Sequence, residues 1–359
     1  MTDGAPERLR VAVWSTGGVG AIAVQSVLRR PDLELSGVWV HSEAKAGQDV
    51  GTLTGGPAAG LMASNDRDTV IAGRPHCTIY AASDGAGAAS AIDDYVHLLE
   101  RGINVITVST PGLVHPAAFD PPVRDRLATA AIAGGATLYA SGIEPGFAGD
   151  QLVLTLLQLS RSIRSVRAQE IFLYDGYPVA FTMFEVFGFG QPMSHQPIMC
   201  LPGVQSGTWG PVVEHVAAGL GVELDEMRET YERELTPRRL QVASGVIEAG
   251  TVGAIRMATI GMVDGREAIV VEHVNRMAAD LAPHWPQAEH DGTYRIVVDG
   301  DPSMRCDLVI GASSDTATAE GMVATTMRLV NAVPAVCEAP PGLVSSLDLP
   351  LTLPRHAFD

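Results

Sequence analysis

Long apolar runs are missing from this chain of 359 residues. None reaches the ~18–20 residues that a membrane span requires, so no membrane partner is expected. A charged-then-apolar leader is missing too. The opening MTDGAPERLR passes from polar residues straight into a strand, which points to a cytoplasmic protein. Cysteine is scarce. Cys77, Cys200, Cys306 and Cys337 stand far apart with no Cys-x-x-Cys pair, a spacing that argues against a zinc site or a redox dithiol. No metal is expected, and the four read as small buried apolar residues in a reducing compartment. Positive charge is in deficit, with 24 Lys and Arg against 41 Asp and Glu and a net charge of −17. Such a surface repels phosphate backbones, so no nucleic-acid partner is expected. Charged residues are only 18% against 46% hydrophobic, a globular balance, and the length allows two domains with separate cores.

What is present begins with alternation. Apolar strand-like runs at Leu9–Ser15, Leu35–Val40, Cys77–Ala81, Val105–Ser109 and Thr137–Ala140 are separated by helical patterns at Gly20–Arg29, Ala91–Arg101 and Val123–Gly134. Strands alternating with helices predict parallel βαβ units wound on both sides of one sheet, with ligands at the carboxyl ends of its strands. After Gly146 the texture changes. Asp150 is placed to cap a helix over Leu152–Leu159, and Val166–Tyr174 reads as a strand. Leu224, Met227, Tyr231 and Leu235 fall at helical spacing, with Thr236-Pro237 as the stop and Glu229–Arg233 as a weak pair on its solvated face.

From about Gln241 to Ile310 strands dominate. Ile255–Met262 and Ala268–Met277 flank the hairpin signal Asp264-Gly265, and Tyr294–Val298 and Arg305–Ile310 flank a turn at 299–302. A last helix, about Thr318–Ala332, is expected to end before Pro334, followed by an extended strap rich in Pro and Leu. The fold expected is α/β. An N-terminal Rossmann doubly wound parallel sheet (1–148) precedes an α+β domain with a mostly antiparallel sheet (149–314), and residues 315–359 return to the first domain.

The strand Leu9–Trp14 runs into Ser15-Thr16-Gly17-Gly18-Val19-Gly20 and then a helix. That is the context of the dinucleotide fingerprint G-x-G-x-x-G, with Ser15 in the first glycine position and Gly17 and Gly20 in the second and third. The second glycine lets the backbone approach a pyrophosphate, the third lets the helix pack on the strand, and the helix amides bind the phosphates. An ordinary turn is the plainer alternative. At the end of the second strand an NAD-binding chain carries Asp or Glu. Here Val40 is followed by His41, Ser42, Glu43, Ala44 and Lys45. His41, Ser42 and Lys45 can donate to a 2′-phosphate, which favours NADP(H) and leaves NAD(H) possible. Ala81 and Ala82, closing the third strand, and Ser109 and Thr110, closing the fourth, complete the expected cofactor contacts.

Two glycine- and proline-rich loops, 108–112 and 140–147, end strands where a nicotinamide would lie. Glu144 is the one carboxylate in them. It can exchange a proton with an amine, imine or alcohol, or it can cap the helix that follows. Beyond, Phe147, Tyr174, Phe181, Phe184 and His195 are candidate substrate contacts in a stretch that also holds Tyr177, Met183 and Phe187. Glu272 and His273 are adjacent in a strand and so point to opposite faces, one of them expected to be buried or at an interface.

The chain resembles the dihydrodipicolinate reductase-like superfamily, and within it is most similar to the 2,4-diaminopentanoate dehydrogenases and native NAD(P)H-dependent amine dehydrogenases. Ser15–Gly20, His41-Ser42, Lys45–Gly51, Val108-Ser109-Thr110, Ser141-Gly142 with Pro145-Gly146-Phe147 and Asp150, and Asn331–Pro334 carry the resemblance over nearly the whole length. It implies an open sheet in the second domain, a homodimer paired through that sheet, and reductive amination of a small ketone or aldehyde with ammonia, or the reverse oxidative deamination. Dihydrodipicolinate reductases carry a His-His motif and a K-D-x-P-S-G-T stretch, and neither occurs here. The amine dehydrogenases place a catalytic glutamate just after V-S-T, where this chain has Pro111, Gly112 and Leu113. They have asparagine where this chain has Glu144, so the carboxylate is expected to have moved between loops. The alternatives are an NADPH-dependent ketone or imine reductase that needs no ammonia, and a non-catalytic NADP-binding sensor.

Overall fold

The computed structural model describes residues 8–82, 88–290, 292–311 and 313–358. The N-terminal residues on which the leader reading rests lie outside them. Two compact units divide the chain: Met1–Glu144 with Met322–Asp359, and Pro145–Gly321.

The first unit runs β1 (Leu9–Trp14), α1 (Gly18–Arg29), β2 (Leu33–Trp39), α2 (Val50–Leu53), α3 (Arg67–Ala72), β3 (Cys77–Tyr80), α4 (Ala88–Leu99), β4 (Asn104–Thr107), α5 (Pro121–Gly134) and β5 (Thr137–Ala140). The second runs α6 (Gln151–Leu157), β6 (Ser162–Leu173), α7 (Val204–Leu220), β7 (Glu226–Leu235), β8 (Leu240–Val242), β9 (Gly245–Ile247), β10 (Val252–Val263), β11 (Arg266–Arg276), β12 (Gly292–Asp301) and β13 (Met304–Val309). The chain closes with α8 (Ser314–Glu338) and β14 (Gly342–Val344).

The first sheet is parallel throughout, in the order β14-β5-β4-β3-β1-β2. Its central strands are buried on both faces, which is why they read as unbroken apolar runs. Strand order reverses between β1 and β3, the switch point where such sheets bind ligands. The second sheet, β13-β12-β6-β11-β10-β7, is antiparallel except for the β6–β11 pair. The Asp264-Gly265 hairpin forms as its sequence predicts, with both residues at positive φ.

Several readings need correction. Residues 226–235 form a strand, not a helix, because exposure alternates every second residue along β7. Glu229 and Arg233 are not an ion pair on a solvated face. Glu229 accepts from the Ser206 amide at 2.6 Å at the start of α7, and Arg233 donates to the carbonyls of His195 and Met193. Helix α8 runs through Pro334 to Glu338. Leu329, Val330, Ala332, Val333 and Val336 are fully buried in the core of the first unit, and that burial outweighs the ~3 kcal/mol a helical proline costs. The expected strap holds β14, which pairs with β5 as a sixth strand. Glu272 and His273 are both buried, one on each face. Only Cys77 of the four cysteines is fully buried. Among the described residues no helix is long and apolar enough to cross a membrane, and no three His, Cys, Asp or Glu side chains converge on a metal position.

Candidate active site

The carboxyl ends of the first sheet are laced together by one hydrogen bond each. The Ser15 amide donates to the Trp39 carbonyl at 2.8 Å, Ala81 to Trp14 at 3.0 Å, Val108 to Tyr80 at 3.3 Å and Ser141 to Thr107 at 3.1 Å. This row brings Ser15–Gly20, His41-Ser42, Ala81-Ala82, Ser109-Thr110 and the loop from Ser141 to Glu144 to a single edge, the ligand-binding edge of such a sheet.

Ser15 holds the first glycine position at φ 96°, a conformation that costs a non-glycine residue about 1–3 kcal/mol. Its hydroxyl accepts from the Gly17 amide at 3.2 Å. Gly20 has no room for a side chain, since a Cβ there would lie 2.1 Å from the Ser15 carbonyl oxygen. Helix α1 therefore rests directly on the turn. Gly17 differs: it is exposed, and a Cβ would meet nothing nearer than the Ser15 hydroxyl at 3.7 Å. As the N-cap it offers no side-chain bond to the first turn, so the amides there are left for an external acceptor. A dinucleotide's pyrophosphate fits this open, uncapped helix start.

Beside the turn, the Lys45 ammonium donates to Thr16 Oγ1 at 3.2 Å. His41 and Ser42 are exposed at the end of β2, where His41 packs at 6.1 Å from Trp39, itself stacked on Trp14. The motif following Lys45 is structural. The Asp49 carboxylate accepts from the amides of Thr52, Ala59 and Gly60, which hold it below the usual carboxylate range. A Cβ on Gly51 would strike the Pro57 carbonyl at 2.0 Å. Together they fix the loop that presents Lys45.

The Ser109-Thr110 loop is tied from behind. The Tyr95 hydroxyl lies 2.8 Å from Thr107 Oγ1 and 2.9 Å from Thr110 Oγ1, and the Ser109 amide donates to Thr107 Oγ1. Gly112, Leu113 and Val114 follow as a buried apolar turn. The place just after V-S-T thus presents hydrocarbon instead of a carboxylate. Across the next loop, Ser141 is buried and its hydroxyl has no partner among the described residues, a polar atom that a ligand would satisfy. Glu144 is half-buried in the single wide turn Ile143–Phe147. The cap of α6 is Asp150, which accepts from the Gln151 amide.

In the second unit Phe147 is half-buried and Phe181 largely exposed. Phe184 lies against Gly190 and Gly245, where a Cβ would come within 3.4 and 3.3 Å of its ring. Met183 and Phe187 are core. Tyr174 packs on Tyr177 at 5.8 Å and Phe187 at 6.1 Å. His195 is half-buried, its carbonyl held by Arg233 at 2.7 Å. Sequence reading missed a polar group on the inner rows of the second sheet. The Tyr174 hydroxyl and the Asn275 amide both donate to Glu170 Oε1, and His273 is the cross-strand partner of Glu170. Burial, reinforced by Glu170, pushes the Tyr174 phenol well up. Burial lowers His273 against the opposite pull of Glu170 and Glu272. The signal in sequence was a glutamate inside the apolar run Val166–Tyr174.

Residues 147–357 match the family model of the 2,4-diaminopentanoate dehydrogenase C-terminal domain. An amine dehydrogenase of Streptomyces virginiae is 36% identical over 347 residues, 96% of each chain. The 2,4-diaminopentanoate dehydrogenase of Acetoanaerobium sticklandii is 23% identical over 359 residues, 96% of this chain and 94% of the relative. The structure of an amine dehydrogenase from Mycobacterium smegmatis superposes with a TM-score of 0.77 at 20% identity, covering 98% of this chain and 99% of the other. That last likeness is one of fold.

Proposed function

This chain belongs to the 2,4-diaminopentanoate dehydrogenase family, and we propose from that premise that it is an NAD(P)-dependent amine dehydrogenase. It would interconvert a small ketone or aldehyde plus ammonia with the corresponding amine. The observation that carries the reading is the carboxyl edge of the first sheet. There an uncapped helix start with open room at Gly17 stands in one row with the Ser141–Glu144 loop.

Thr16, Gly17, Gly18 and Val19 would hold the dinucleotide's phosphates, and Ala81, Ala82, Ser109 and Thr110 would flank the rest of it. His41, Ser42 and Lys45 would favour NADP(H), since a lysine beside exposed donors suits a 2′-phosphate better than a ribose diol. When bound, the nicotinamide would supply or accept the hydride. The protein's own part falls to Glu144. We place its carboxylate against the ammonia or the iminium nitrogen, where it would hold the cation and take up or return its proton. Phe147, Tyr174, Phe181, Phe184 and His195 would border the carbon skeleton, and the working form would be a homodimer in the cytoplasm.

A second reading is favoured by the buried Leu113 and Val114 after V-S-T, a place with no carboxylate to serve an amine. It is a ketone reductase indifferent to ammonia. NADPH oxidation by the purified protein with small ketones and aldehydes, with and without high ammonium at alkaline pH, tests both. Turnover only with ammonium is expected. Equal turnover without it would overturn the amine reading, and no turnover in either case would leave a nucleotide-binding protein.

A further inference from the structure

The four cysteines show no dithiol spacing in the sequence, yet folding brings two of them together. Cys77 opens β3 and Cys337 lies in the last turn of α8, both in the first unit. Asn104, which opens β4, is the register partner of Cys77. Register partners point their side chains to the same face of a sheet, so the Cys77 thiol and the Asn104 amide stand side by side. Asn104 Oδ1 accepts from the Thr137 amide at 2.8 Å, which fixes the direction of its NH2 group. That group donates to the His76 carbonyl, next to Cys77, at 2.8 Å and to Cys337 Sγ at 3.7 Å. The Cys337 thiol reaches the same carbonyl at 4.0 Å. Cys337 is thus seated over the start of β3, packed on the core cluster that contains Cys77, and the two thiols are hydrogen-bonding neighbours.

The two sulfurs are not equivalent. Cys77 is fully buried, and burial pushes its thiol well up, so it keeps its proton. Cys337 is half-buried and accepts from the Cys77 thiol and the Asn104 amide, which hold it below the ordinary thiol range. The thiolate is the reactive form of cysteine. A partly exposed sulfur of lowered pKa beside a second thiol is the arrangement on which reversible oxidation depends. Cys200 and Cys306 lie in the second unit, and burial raises the Cys200 thiol.

We propose that Cys77 and Cys337 are a peroxide-responsive dithiol that closes reversibly into a disulfide between β3 and α8. The Cys337 thiolate attacks one oxygen of hydrogen peroxide and the O–O bond breaks. Hydroxide leaves with the proton that Cys337 shed, as water, and the sulfur becomes a sulfenic acid. The Cys77 sulfur then attacks the Cys337 sulfur, and its proton departs with the sulfenic hydroxyl as a second water. Peroxide is reduced to two waters, and the thiol pair is oxidised to the disulfide. The bond closes into one loop all of the chain between residues 77 and 337, the whole second unit included, which restricts the unfolded chain and stabilises the folded one. It stands apart from the expected cofactor contacts, since Cys77 opens β3 and Ala81-Ala82 follow its other end.

The test treats the full-length protein with hydrogen peroxide, counts free thiols after denaturation, and adds non-reducing peptide mapping and thermal melts. Wild type is expected to fall from four thiols to two and to yield a cross-linked peptide pair holding Cys77 and Cys337. Its Tm should rise by at least ~5 °C, and dithiothreitol should restore all four thiols and the original melt. Cys337→Ser should form no cross-link. Cys77→Ser should stop at a sulfenic acid on Cys337, which dimedone captures. Retention of all four thiols, a cross-link through Cys200 or Cys306, or an oxidised protein that melts no higher than the reduced one overturns the proposal. The wild-type thiol count and peptide map decide it even where a serine variant fails to fold.

Discussion

Two glycines three residues apart should fail in opposite ways. At Gly20 an added methyl would sit 2.1 Å from the Ser15 carbonyl oxygen and 2.7 Å from its carbon. Ordinary contacts are near 3.5 Å, so α1 must withdraw by roughly 1 Å. Ala23, Val24 and Val27 on the same helix are fully buried, and all would lose contact together. Overpacking of this kind costs about 3 kcal/mol. For a domain of this size that lowers Tm by about 6–12 °C. At Gly17 the backbone has φ −72°, which alanine adopts freely, and the nearest atom to a new methyl is 3.7 Å away. Gly17→Ala should leave Tm within about 2 °C of wild type. The methyl would nonetheless stand where a phosphate must approach the helix amides, and NADPH binding should weaken about 10–100-fold. Thermal melts and fluorescence titration with NADPH check both. A Gly20→Ala protein melting with wild type would refute the packing argument, and a Gly17→Ala protein binding NADPH normally would refute the placement of the cofactor.

Lys45→Ala should raise the KM for NADPH about 10-fold and that for NADH less than 2-fold, which steady-state kinetics with both cofactors will read; equal effects would deny Lys45 a role at a 2′-phosphate. Glu144→Gln should lower kcat for reductive amination at least ~100-fold with the NADPH dissociation constant unchanged, and near-normal turnover would take the catalytic role from Glu144. Tyr95→Phe strips the shared hydroxyl from Thr107 and Thr110 and should cost about 1–3 kcal/mol by denaturant unfolding, a loss under 0.5 kcal/mol arguing against the tie. His273 is held below its ordinary value by burial, so the unfolded chain binds its proton first as pH falls. Stability should therefore be full above about pH 6.5 and decline on acidification below it. In His273→Gln the melting temperature should fall less between pH 7 and pH 5 than in wild type, and parallel curves would contradict this sign.

The Rossmann half was readable because its local signals agree with its tertiary structure. Strands buried on both faces must be apolar throughout, and the turn after β1 must be glycine-rich whatever else the chain does. The strand misread as a helix is one whose inward-facing residues are partly polar for tertiary reasons. In β7 the inward set includes Met227, Glu229, Tyr231 and Arg233. The charged pair serves α7 and the His195 loop, so hydropathy sees only apolar residues at a chance helical spacing. Helix α7 carries Gly207, Gly210 and Pro211, residues that weaken its helical signal. Gly210 is required there because a Cβ would come 2.7 Å from the Met227 sulfur, a constraint visible only once strand and helix are packed.

The same division explains the site. Ser15 to Gly20, Lys45 and the V-S-T loop are contiguous motifs whose chemistry is local, and a single sequence displays them. Glu170, His273 and Asn275 come from neighbouring strands more than 100 residues apart. Each alone looks like an isolated polar residue in a core strand, for which a satisfied buried contact is the simplest account. Only the register of β6 against β11 reveals that donors to Glu170 crowd one oxygen and leave the other bare. The contrast with Glu272, fully matched by two arginines one residue along the same strand from His273, shows that this sheet neutralises a buried carboxylate where it needs to. Leaving Glu170 with neutral donors alone therefore carries a stability cost that the apolar pattern of β6 does not announce.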